Sequence, residues 1–155
     1  MGSMRESIRI VGKHRFVFRD IRYDFITRIS EYGNTITLLG LNMLAKRIAQ
    51  TANDCNITYG AVGTGVFPAN PSASTQLVTE LTRKLVTTIS ASGSIASIRT
   101  FFGASEANGT LTEFGLFGEA ATGTANSGTM FNHASITEVK SSSETLTIES
   151  TITFA

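Results

Sequence analysis

The chain has 155 residues, a formal charge of +1 and a single cysteine. That is the size of one domain able to bury roughly two-thirds of its unfolded surface, so its stability needs no cross-link. Cys55 alone excludes a disulfide scaffold and fits a reducing compartment, and no apolar run approaches the roughly 18 residues of a membrane span.

Met1-Gly2-Ser3-Met4 reads as a cloning scar before a native start, and no signal-peptide order follows it, so synthesis in a cytoplasm is expected. Residues 1–50 carry nine Lys and Arg against four acids, a local +5, whereas residues 51–155 carry four against eight, a local −4. Such asymmetry predicts a basic arm for an acidic partner, or arginines that blunt an exposed strand edge. The bases alternate with acids instead of clustering, which argues against nucleic acid. Phe16 and Phe18 alternate with Arg15, Val17 and Arg19, and Tyr23, Phe25, Thr27 and Ile29 repeat the period, predicting two strands near a sheet edge. After a turn at Tyr32-Gly33-Asn34 the period changes. Leu38, Leu41, Leu44 or Ala45, and Ile48 predict an amphipathic helix over 37–50, poorly capped and weakened by about 1 kcal/mol at Gly40. A glycine there suits close packing on a sheet.

Ile57 to Val62 predicts a short strand, followed by a loop from Gly63-Thr64-Gly65 through Pro68 and Pro71 and a short helical turn at 76–81. Three strands then follow in succession from Arg83 to Phe117, a meander on which the rest is expected to pack. Ala91-Ser92-Gly93 breaks the first pair, and Glu106-Ala107-Asn108-Gly109 marks a hairpin between the second and third. Residues 118–128 predict a flexible loop, and Met130 to Ser135 another strand. The last strand turns Leu146, Ile148, Ser150, Ile152 and Phe154 one way and four threonines and Glu149 the other. About eight strands and one helix predict an all-β fold: an antiparallel β-sandwich, jelly-roll-like, with the helix packed on a sheet or closing one end. Residues 1–30 are expected as a basic N-terminal arm with edge strands, and 31–155 as the sandwich domain. Its expected core is Phe25, Leu41, Leu44, Ile48, Val62, Ile89, Ile98, Phe102, Leu116, Ile148, Ile152 and Phe154.

Chemistry finds little footing. His14 and His133 are the only histidines, and no acidic run has calcium-loop spacing, so no metal or cofactor is expected. No Gly-x-Ser-x-Gly elbow occurs, and Gly63-Thr64-Gly65 lacks the lysine and spacing of a phosphate loop. Glu106 and Glu113 come nearest to a carboxylate pair and read as solvated acids, and each histidine as a surface or strand-pairing residue. The expectation is a non-enzymatic protein without a small-molecule substrate.

The helix Leu41-Asn42-Met43-Leu44-Ala45, the stretch Tyr59-Gly60-Ala61-Val62-Gly63-Thr64-Gly65, the run from Phe102 through Glu106-Ala107-Asn108-Gly109-Thr110 to Phe117, and the closing strand to Phe154 resemble small structural proteins of tailed bacteriophages. The resemblance covers nearly the whole chain after Glu31 and implies no catalytic residues. It implies a virion location and, with the small size and basic N-terminal segment, a capsid decoration (cement) protein that clamps major capsid subunits. The alternatives are a tail, collar, baseplate or tail-fibre component, or a carbohydrate-binding host-recognition module. In the cement reading Arg5, Arg9, Lys13 and Arg15 meet acidic capsid loops, and Ile8, Ile10 and Val11 supply apolar contact. Phe67, Phe101, Phe114 and Phe131 lie opposite the expected core face and predict a homotrimer interface.

Overall fold

A computed structural model describes residues 6–51 and 55–155. Ten strands and one helix follow one another as β1 (Ile10–Asp20), β2 (Ile26–Gly33), β3 (Thr35–Ile36), α1 (Leu38–Ala49), β4 (Ile57–Gly63), β5 (Glu80–Ser92), β6 (Ile95–Phe102), β7 (Gly109–Gly118), β8 (Thr129–Met130), β9 (Asn132–Lys140) and β10 (Glu144–Phe154). All pairings are antiparallel, in the order β2-β1-β10-β6-β5-β4-β7-β9-β3, with β8 on β7. The expected antiparallel sandwich with one helix is present, its sheet rolled until the two ends nearly meet. Side chains bridge the gap: Tyr32 and Arg28 on β2 reach Glu138 on β9 at 2.7 and 3.3 Å, while Glu144 on β10 holds Arg28 from the near side at 3.0 Å. This covers a strand edge that would otherwise be open to another chain.

Alternation drives the roll. Phe16, Phe18, Ile98, Phe102, Phe114, Leu116, Leu146, Ile148 and Ile152 share one buried core. Val62, Ile98, Phe102, Leu116, Ile148 and Ile152 are buried as expected, while Leu44 and Phe154 pack half-buried against them. Four expected core residues are exposed instead. Phe25 stacks on Tyr23 in the β1–β2 turn, Ile89 sits where the β5–β6 hairpin projects, and Leu41 and Ile48 face outward on α1.

The helix is set by Gly40, whose missing Cβ would lie 2.2 Å from the Phe131 carbonyl, and by Met43, which is buried against the core. That contact rotates the Leu38, Leu41, Ala45 and Ile48 stripe away from the barrel. The ends are also better capped than the sequence suggests. The Thr37 hydroxyl accepts from the Gly40 amide at 2.9 Å and donates to Met130 at 2.6 Å, and Gln50 closes the helix in the left-handed region.

Two further expectations change. The Asn108-Gly109 turn is not a hairpin: β7 pairs with β4 and β9, not with β6, because the buried Ala107 anchors a connection that crosses from one half of the wall to the other. The turn expected at 76–81 lies earlier, as a 3-10 turn over Pro71–Ala73. At the N-terminus β1 starts at Ile10, and Arg9 exchanges backbone hydrogen bonds with Ala155. Residues 9–20 are therefore barrel wall, beside the edge strand β2. Among the described residues no helix is long and apolar enough to cross a membrane.

Candidate functional site: the uncovered sheet face

The outside of the barrel has two unlike halves. Over β4, β7 and β9 the outward positions include Glu113, Phe117 and His133, and the loops 64–79 and 119–128 fold back upon them. Glu113 is wholly buried and fastens the first loop: it accepts from the Gly65, Val78 and Thr79 amides at 3.3, 3.0 and 2.8 Å and contacts His133 Nε2 at 2.7 Å. A Cβ at position 65 would lie 2.8 Å from the Glu113 carboxylate, which is why glycine follows Thr64. Burial pushes the Glu113 carboxyl upward, but the hydrogen bonds from His133, Thr79 and Val78 together outweigh it and hold it below its usual range. The second loop lies over Ala61, Leu77, Phe117 and Met130. Arg83 fastens it, pairing with Glu80 at 2.8 Å and donating to the Thr122 and Ser127 carbonyls.

Ser74 bonds the other nitrogen of His133 at 2.9 Å, giving the serine–imidazole–carboxylate order of a hydrolase triad. Its setting is that of a clasp. The imidazole has no exposed surface, lies against Phe67 with ring centres 4.7 Å apart, and has both nitrogens occupied. Both histidines are thus buried. His14, inside the barrel, bonds Ser150 at 2.7 Å, and desolvation lowers its pKa to about 3. Glu106 pairs with Lys84 at 2.6 Å, so the two carboxylates weighed as a pair have different partners. Among the described residues no three His, Cys, Asp or Glu side chains converge as a metal site.

The other half, the outer side of β2, β1, β10, β6 and β5, carries no second layer of described residues. Its register aligns cross-strand rows. One row runs Phe101, Thr147, Val17, Ile29; the next runs Thr88, Arg99, Glu149, Arg15, Glu31; then come Ser90, Ser97, Thr151, Lys13, Gly33 and Ser92, Ile95, Thr153, Val11. The charged row alternates in sign, with Glu149 bridging Arg15 at 3.1 Å and Arg99 at 3.2 Å, while Lys13 meets Glu31 at 2.8 Å. Val11, Ile26, Ile29, Ile95 and Phe101 remain exposed around it. At strand and residue spacings of about 4.8 and 3.4 Å these rows cover on the order of 600 Å². That approaches the roughly 800 Å² each partner contributes to a standard interface.

Of the seven residues expected at a partner interface, Val11, Lys13 and Arg15 lie together on this face. Ile8 is exposed just before it, and Arg9 is tied to Ala155 through its backbone. Ile10 instead packs half-buried against the core, and Arg5 lies outside the described residues. Arg99 and Glu149 were not expected here; alternation placed them outward, but only strand order brings them beside β1. Of the four aromatics assigned to an interface, Phe114 and Phe131 are buried and Phe67 covers His133, leaving Phe101 exposed. No known protein family matches this chain, and no curated protein or solved structure matches it.

Proposed function

We propose that this chain is a non-enzymatic structural protein of a tailed-bacteriophage virion, a capsid decoration protein that holds neighbouring major capsid subunits through the uncovered sheet face. The observation that carries the proposal is that face itself. Its charges are satisfied among themselves, aliphatic and aromatic side chains stand exposed on either side of them, and its extent suits a protein partner. Lys13, Arg15, Arg19 and Arg99 outnumber Glu31, Glu149 and Asp24, the ion-pair partner of Arg19, by one, and this small positive excess favours an acidic partner surface such as a capsid loop. The sequence resemblance to phage structural proteins supplies the setting.

Electron microscopy of virions carrying a labelled copy tests the location. Label over the head lattice is expected, and label confined to the tail or baseplate would move the protein there. Removing residues 1–8 tests the contribution of Arg5 and Ile8 without cutting β1, which a truncation at Arg15 would destroy. A second reading rests on the groove of about 440 Å³ among Arg15, Arg19, Arg99 and Phe101, which combines an aromatic surface with polar donors, as a sugar-binding module does. Saturable binding to host surface glycans, lost in Phe101→Ala, would favour it.

A further inference from the structure

Lys140 ends β9 in a place that does not suit a lysine. It is 2% exposed, yet among the described residues no carboxylate lies within ion-pair distance of its amine. The contacts of Nζ are neutral oxygens: the Asn108 side-chain carbonyl at 2.8 Å, and the Ala104 and Ser141 backbone carbonyls at 3.3 Å each. A buried ammonium without a paired charge is destabilising, and a methionine would fill the same space without that cost. Burial lowers the pKa of the amine, although Glu144 and Glu106 act to raise it, and so favours the neutral, nucleophilic form.

The Asn108 amide is held to meet this amine. Its nitrogen donates to the Ala104 carbonyl at 3.0 Å and its oxygen accepts from Lys140, so both ends of the planar group are fixed. The turn that presents it departs from ordinary backbone on either side. Ala107 is buried at a φ of 55°, in the left-handed region, and Gly109 takes a φ of 121°. Asn108 itself is exposed, which leaves its amide nitrogen an open way to solvent.

We propose that Lys140 and Asn108 join in an intramolecular isopeptide bond. The lone pair of Lys140 Nζ attacks Asn108 Cγ and forms the new C–N bond. The Cγ–Nδ2 bond breaks, and the displaced nitrogen takes a proton from the attacking amine and leaves as ammonia. One amide replaces another, so no oxidant or further reactant is consumed. Glu106, two residues before Asn108, and Glu144 lie near enough to act on the amine and can relay that proton. The bond ties the end of β9 to the connection that crosses from β6 to β7, closing a loop between positions 32 apart. Such a closure constrains the unfolded chain and leaves the fold as it is. The inference depends neither on the uncovered sheet face nor on a virion setting. The rival nucleophile for the same carbon is the Gly109 amide nitrogen, which gives a succinimide and then an aspartate.

Mass spectrometry of the full chain, purified and held for days at mildly alkaline pH, tests the bond beside Lys140→Met and Asn108→Ala. The wild type should lose the mass of one ammonia. Cleavage after glutamates should then release a branched peptide in which residues 107–113 are joined to residues 139–144. Both variants should keep the full mass of their sequences, and Asn108→Ala, altered at an exposed position, should still fold. A wild type that keeps its full mass overturns the proposal. Conversion of Asn108 to aspartate in the wild type, or an ammonia loss that persists in Lys140→Met, assigns the carbon to Gly109 and overturns it as well.

Discussion

Two halves of one barrel wall meet the same solvent with different outward residues. β7 turns out Glu113, Gly115 and Phe117, a carboxylate and a large aromatic ring that need cover, and two loops supply it. β10 turns out Thr145, Thr147, Glu149, Thr151 and Thr153, which need none. A strand in such a barrel can thus be written for a second layer of its own chain or for water. The difference becomes informative where the second kind also exposes Val11, Ile29, Ile95 and Phe101, because solvation alone does not call for them. The covered half is finished within the chain, and the uncovered half is suited to completion by a partner.

The largest effect is expected in the core that both halves share. Ile148 lies on the inner side of β10, between neighbours Phe16 and Thr100, and is wholly buried. Ile148→Asp should abolish soluble folding, since an unpaired charge would sit in the core both halves share; normal expression and melting would show the strand faces to be misassigned. Next comes the clasp of the covered half. Glu113→Ala strands three amides and His133, and should cost about 3 kcal/mol in urea unfolding while opening residues 66–76 to protease. Unchanged stability would mean that the loop is held by something else.

Acid should act in the same direction. His14 stays neutral in the fold down to about pH 3 but takes a proton below about 6.5 when unfolded. Its contribution is therefore complete above pH 6.5 and lost as pH falls toward 3. Glu113, held low in the fold, likewise stabilises above its unfolded pKa and loses that contribution as pH falls through its folded one. Denaturant unfolding across pH 7 to 3 should show the decline, and His14→Gln should flatten its upper part. The smallest effect belongs to the uncovered half. Arg99→Ala should change stability by less than about 1 kcal/mol, and the change should fade with salt, because its bridge to Glu149 is solvated.

Period-two alternation made the inner faces of β6 and β10 legible, and Phe102, Ile148 and Ile152 needed no structure to be placed. Alternation does not say which strands adjoin, so the crossing after β6 read as a hairpin and the row Arg99-Glu149-Arg15 stayed unseen. Nor does it say when an outward face is covered: Glu113 and His133 look like solvated strand residues until the 64–79 loop is laid over them. The helix lies where its period placed it, but its buried face was misread for another reason. Its apolar stripe was real, but a glycine and a methionine outcompeted it for the barrel, because closeness of approach counts for more there than side-chain size. Lys13 and Arg15 drew attention through their charge and Val11 through a short apolar run, neither of which depends on strand register.

The proposed role depends most on the uncovered face being the contact surface. Cosedimentation with undecorated phage heads, comparing wild type, Phe101→Asp on the uncovered half and Thr124→Asp on the loop over the covered half, tests it most directly. All three should melt alike. Wild type and Thr124→Asp should pellet with the heads, increasingly so at low salt, and Phe101→Asp should remain in the supernatant. Equal pelleting of the two variants, or loss only in Thr124→Asp, would contradict the assignment of the interface to the uncovered half.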